Sequence, residues 1–101
     1  MDNNYAQFLT ESLRFAILQL LYSAPAYSLN EFDLKSLLAH RGQATSSDSL
    51  RVQLHWLHDQ QLIHAQHEAD FWTAQLITRG GDVVNGLCTV PGVAKPEPHS
   101  H

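Results

Sequence analysis

Between Ser46 and Gly80 the hydrophobic pattern switches from helical to strand-like spacing and back, and this constrains the fold more than any other feature. Leu50, Leu54 and Leu57 follow a capping Ser46-Ser47 pair at helical spacing, with Asp48 near the positive end, so this segment buries one stripe of a helix. Leu62-Ile63 then leads into two strand-like runs, His64–His67 and Phe71–Leu76, around a polar tip, Glu68-Ala69-Asp70. A tip that short joins the strands only as a hairpin. Thr78 caps a further short helix, around Arg79–Asn85, which Gly86 ends. The Gly80-Gly81 pair weakens that helix by about 1 kcal/mol per glycine relative to alanine.

Two helices precede this block. Asn3-Asn4 caps the first, expected over residues 5–23, whose inner face is Leu9, Leu13, Ala16, Ile17, Leu20 and Leu21. Ala24-Pro25 ends it, because proline cannot continue a helix and restrains the residue before it. Tyr27-Ser28-Leu29 is a short extended link. Asn30 caps the second helix, with Glu31 and Asp33 in its positive first turn. Phe32, Leu34, Leu37 and Leu38 follow, and Gly42 is the residue just past its end. Gln43–Ser47 turns the chain into the third helix. The expected core is Leu13, Ile17, Leu20, Leu34, Leu37, Leu38, Leu54, Leu57 and Leu76. Three helices, a two-stranded wing and a short C-terminal helix make a mainly α winged helix-turn-helix. That architecture presents one helix to a DNA major groove and the hairpin to the neighbouring backbone, although one fold hosts many functions.

The 101 residues suffice for one domain, and 44% hydrophobic content supplies a core without covalent staples. The single cysteine, Cys88, excludes an internal disulfide and suits a reducing cytoplasm. The apolar run from Phe15 to Tyr22 is too short to span a bilayer, so no membrane partner is expected. Pro91, Gly92, Pro96 and Pro98 show no periodicity, which sets the domain at residues 1–93 and a flexible tail at 94–101.

The chain resembles the small winged-helix proteins of Mu-like prophages, loosely grouped with ArsR-type regulators. The likeness covers nearly the whole chain. It is carried by Leu13–Leu21, Leu29-Asn30-Glu31, Leu54-His55-Trp56-Leu57, Leu76-Ile77-Thr78-Arg79-Gly80 and, most distinctively, Thr89-Val90-Pro91-Gly92-Val93. It implies a winged-helix fold and a phage origin more firmly than an activity. Gln61 stands where such domains usually have glycine. Either Gln61 adopts a left-handed conformation or the third helix ends differently.

The third helix is the natural groove reader. Ser47, Ser49, Arg51, Gln53 and His55 are the candidate DNA-binding residues on it, with Arg41 assisting from the end of the second helix. The plainer alternative is a solvated polar face, which Asp48 and Asp59 favour. The charge balance also resists DNA binding by a monomer: six Lys/Arg stand against ten Asp/Glu, for a net −4. His55/His58 and His64/His67 are spaced like metal pairs, but a strand points the second pair to opposite faces. Surface histidines are the expectation, with no metal and no cofactor. Cys88 lacks a neighbouring base, Arg79-Gly80-Gly81-Asp82 matches no phosphate loop, and Glu31 and Asp33 do not face each other. No enzyme and no small-molecule substrate are expected.

Phe8, Phe15, Leu18 and Tyr22 form a second stripe on the first helix, opposite its core face. Unless the tail or the fourth helix covers it, this stripe is an association surface, and a homodimer is the expected outcome. Trp56 is expected to pack beneath the wing. The sequence therefore points to a phage DNA-binding transcriptional regulator acting on double-stranded DNA. Its rival is a protein-interaction adaptor of phage development or assembly. A positive stripe through Arg51, Arg41 and the wing separates the first from the second.

Overall fold

A computed structural model describes residues 3–96. Helix α1 (Asn3–Ser23) is followed by a 3-10 turn (Pro25–Tyr27) and a short strand β1 (Ser28–Asn30). Helices α2 (Glu31–His40) and α3 (Ser47–Asp59) come next, then strands β2 (Ile63–Glu68) and β3 (Phe71–Leu76), and helix α4 (Thr78–Val84). The domain is mainly helical, with one three-stranded antiparallel sheet in the order β1-β3-β2. The expected two-stranded hairpin gains a third strand from the expected extended link Tyr27-Ser28-Leu29. Ser28 and Leu29 of that link, with Asn30, form β1, which pairs Leu29 with Ala74 on β3, while Tyr27 ends the 3-10 turn.

Local chemistry sets the helix ends. The Asn30 side chain accepts the Asp33 N–H at 2.8 Å, and Ser46 Oγ accepts the Ser49 N–H at 3.0 Å. At the end of α3, Gln61 takes φ +62°. Its N–H bonds to His58 O at 2.9 Å and that of Leu62 to Leu57 O at 3.1 Å, so the helix closes in the usual glycine motif with glutamine in the glycine position. Gln61→Gly is therefore expected to raise stability by about 0.5–1 kcal/mol, the strain relieved less the extra freedom of an unfolded glycine. Chemical denaturation checks this; a loss of stability would contradict it. Two termini differ from expectation. Asn3 and Asn4 are the first helical residues of α1, and Thr78 opens α4 without capping it, since the N-cap position is Ile77.

Ile17, Leu18, Leu21, Leu34, Leu38, Leu50, Leu54, Leu57, Leu62, Ile63 and Val83 are fully buried. Of the expected core, Leu76 is also buried, Leu13 and Leu20 pack partly buried against it, and Leu37 is exposed. Leu9, expected on the inner face of α1, is exposed as well.

Phe15 and Leu18 lie in the core, which corrects the expected dimer stripe. The middle of α1 is buried on both sides: Phe15 lines a cleft with Val84 of α4 and Ala94 of the C-terminal segment, both of which pack against the core. That segment folds back over α1, burying Val90 and Val93, and the Ala94 N–H bonds to Glu11 O at 3.2 Å. The ordered packing therefore extends past the expected boundary at Val93; residues 97–101 of the expected tail lie outside the described residues. Trp56 packs under this segment instead of the wing: the Arg14 guanidinium sits 3.8 Å above its ring, and an added Cβ on Gly92 would meet the indole at 2.7 Å.

Candidate interaction surface

The outward side of α3 is set by helical spacing. Asp48, Val52, His55 and Asp59 are its exposed residues, at i, i+4, i+7 and i+11. The hairpin beside them ends in exposed Glu68 and Asp70, and β2 and β3 contain no lysine or arginine.

The candidate DNA-binding residues do not share one surface. Gln53 is buried, and its Oε1 accepts from Arg14 Nε at 2.7 Å, so it faces the core. This corrects its expected place on the reading face; lying between Leu50 and Leu57, it continues the buried stripe. Arg41 turns to α1, donating to Gln19 Oε1 at 2.7 Å, and lines a cleft with Phe8, Ser12, Phe15 and Lys95. Ser47 accepts a hydrogen bond from Lys35 Nζ at 3.0 Å, and half-buried Ser49 gives its N–H to the α3 cap. His55 is exposed and meets Trp72 edge-on, 4.8 Å between centroids.

Arg51 is held by Glu31. Glu31 is 2% exposed; its Oε1 accepts from Arg51 Nε at 2.8 Å and its Oε2 from the Trp72 N–H at 2.7 Å. One carboxylate thus ties the start of α2 to α3 and β3. Burial alone would push its pKa up. The bonds from Arg51 and Trp72, with the charges of Arg51 and His67, outweigh that and hold it below the ordinary carboxylate value. The same pair raises Arg51 above the usual arginine value. Sequence reasoning placed Glu31 only in a favourable first turn. The missed signal is its position three and seven residues before Leu34 and Leu38, on the buried face of α2.

Aromatic side chains surround this bolt. Phe32 is 58% exposed, with its ring 5.9 Å from that of Phe71. Trp72 has the His67 ring 4.8 Å away in addition to that of His55. These rings were not singled out from the sequence, because Phe32 reads as one more apolar residue of α2 and the other two as alternating strand residues.

The histidine pairs do not converge. His58 Nδ1 accepts the Ala65 N–H at 3.0 Å, with the His64 ring 5.5 Å away. Among the described residues no three His, Cys, Asp or Glu side chains gather where they could hold a metal ion, and no helix is long and apolar enough to cross a membrane.

No family model matches the chain. It is similar to the uncharacterized protein gp26 of Escherichia phage Mu, with 36% identity over 92 residues that cover 91% of this chain and 95% of that protein. The chain belongs to the phage Mu gp26 family. Membership agrees with the Mu-like origin that the sequence resemblance implied.

Proposed function

We propose that this gp26-family domain is a winged helix whose α3 and hairpin face serves as a protein-interaction adaptor in a Mu-like phage, without catalysis. The outward stripe of α3 carries this reading: two carboxylates, a valine and an imidazole occupy the positions from which a groove reader contacts phosphates and bases. The remaining cations keep their charge but are not gathered on that stripe. Of the six Lys/Arg, Arg14, Lys35, Arg41, Arg51 and Arg79 donate to groups of the same chain. The sixth, Lys95, lies on the C-terminal segment beside Phe8.

DNA-binding transcriptional regulation is the second reading. It is favoured by the order α2, turn, capped α3, hairpin, and by Lys35 and Arg51 near the start of α3. Fluorescence anisotropy with DNA from the phage's own regulatory regions at low salt tests the two. The adaptor reading predicts no binding at about 100 micromolar protein, the weak end of non-specific binding. Binding that falls steeply with salt and loses about 1–3 kcal/mol in Arg51→Ala would overturn it.

The proposal includes a homodimer. With Phe15 and Leu18 buried, the association surface moves to the first turns of α1, where Tyr5 is 62%, Phe8 61% and Leu9 49% exposed at helical spacing. Residues 3–10 carry no charge, so two copies of this acidic chain can meet there without like-charge repulsion. Phe8→Glu is expected to convert dimer to monomer in sedimentation while leaving the circular dichroism spectrum unchanged. Wild-type protein that stays monomeric at high micromolar concentration would remove the case.

A further inference from the structure

We infer that the cleft between α1, the end of α2 and the C-terminal segment binds a short acidic peptide of a partner protein, in which two carboxylates flank one apolar side chain. This goes beyond the adaptor reading of the α3 face, since no residue of α3 lines the cleft. Phe8, Ser12, Phe15 and Gln19 line it at helical spacing along one side of α1. Buried Phe15, with Ala16, sits at the middle of that side. Both walls are tied to α1 before any partner arrives. Arg41, just past α2, donates to Gln19 Oε1 at 2.7 Å, and the Ala94 N–H bonds to Glu11 O at 3.2 Å. The volume is about 550 Å³, within the roughly 300–1,000 Å³ of ordinary ligand clefts.

Charge selects the occupant. Arg41 and Lys95 both line the cleft and no aspartate or glutamate does, in a chain of net charge −4. The bonded partner of Arg41, Gln19, is neutral, and among the described residues Lys95 has no hydrogen bond or ion pair. Glu11, the acid of α1, lines the adjoining cleft, which Lys95 also borders, and its carboxylate accepts from Gln7 Nε2 at 3.0 Å. Gln19 and Glu11, which anchor the two walls, lie about 12 Å apart along α1 on the helical rise, with Phe15 midway. Acids four residues apart in an extended segment span about 13 Å and share one face with the residue between them. Such a segment pairs one acid with Arg41 and the other with Lys95 while its middle side chain covers Phe15. A neutral segment leaves both cations without a counter-charge, and a basic one is repelled.

Titration of the full 15N-labelled chain at low salt with two nine-residue peptides tests this. One carries glutamate, serine, leucine, serine, glutamate between pairs of glycines; the other replaces both glutamates with glutamine. The glutamate peptide should shift the amide resonances of Ser12, Phe15, Gln19, Gln43 and Val84, and the glutamine peptide should not. The double variant Arg41→Gln, Lys95→Gln, at exposed positions, should keep its remaining spectrum and bind the glutamate peptide at least tenfold more weakly. No shifts at millimolar glutamate peptide, equal binding of the glutamine peptide, or equal binding by the double variant would overturn the acidic partner. So would the same shifts on concentrating the chain alone, which would assign the cleft to a second copy. None of these results bears on the α3 and hairpin face, so the adaptor reading stands or falls on the DNA assay.

Discussion

Gly80→Ala is expected to destabilise the domain by about 2–4 kcal/mol, whereas Gly81→Ala, one residue later, is expected to stabilise it by about 0.5–1 kcal/mol. Helix propensity alone predicts a gain at both positions, since each glycine lies inside α4. Packing reverses the sign at the first. A Cβ on Gly80 would lie 2.1 Å from the Leu62 carbonyl oxygen and 2.6 Å from Leu76 Cδ1. Leu62 O is backbone at the junction of α3 and β2, and it already accepts the Ile77 N–H at 3.3 Å. It cannot withdraw without moving the sheet. At Gly81 the nearest atom would be Leu76 Cδ2 at 3.9 Å, an ordinary contact. Denaturant titration of both variants checks the pair. A stabilised Gly80→Ala protein would mean that α4 does not sit against Leu62.

Glu31→Ala is expected to cost about 2–4 kcal/mol, because the Trp72 N–H and Arg51 both lose a charged acceptor. Its pH dependence has a definite sign. The folded pKa of Glu31 lies below its unfolded value, so its contribution is complete above the unfolded carboxylate pKa of about 4.3 and is lost as pH falls through the folded pKa. Stability measured by denaturation from neutral pH into acid should therefore drop less steeply in Glu31→Gln, which keeps an acceptor for Trp72 but cannot titrate. Identical acid slopes in the two proteins would show that Glu31 does not titrate differently on folding.

The helices and the hairpin were legible because their signals are local. Leu50, Leu54 and Leu57 mark one face of α3, and a tip as short as Glu68-Ala69-Asp70 leaves the chain little choice. Gln61 was legible as an alternative, and its left-handed backbone selects one branch. What escaped depends on distant partners. Strand β1 is only three residues long and pairs with β3 far along the chain, so no alternation could reveal it. Phe15 and Leu18 looked free because the C-terminal segment that folds back over α1, with Val90 and Val93, has no periodicity of its own. Gln53 and Arg51 looked available because their partners, Arg14 and Glu31, are 39 and 20 residues away. The candidate site was therefore legible as a face of α3, but not in which side chains that face leaves free.

Charge reversal at the α3 and hairpin face tests the central claim, that acidity there directs the domain away from nucleic acid. The variant Asp59→Lys, Glu68→Lys, Asp70→Lys changes three exposed positions and spares Asp48, whose charge acts on Arg51 of the Glu31 bolt. In a low-salt anisotropy assay with duplex DNA, the wild-type chain should show no binding. The triple variant should bind, with an affinity that falls steeply as salt rises. Wild-type binding as tight and as salt-dependent as that of the variant would contradict the account.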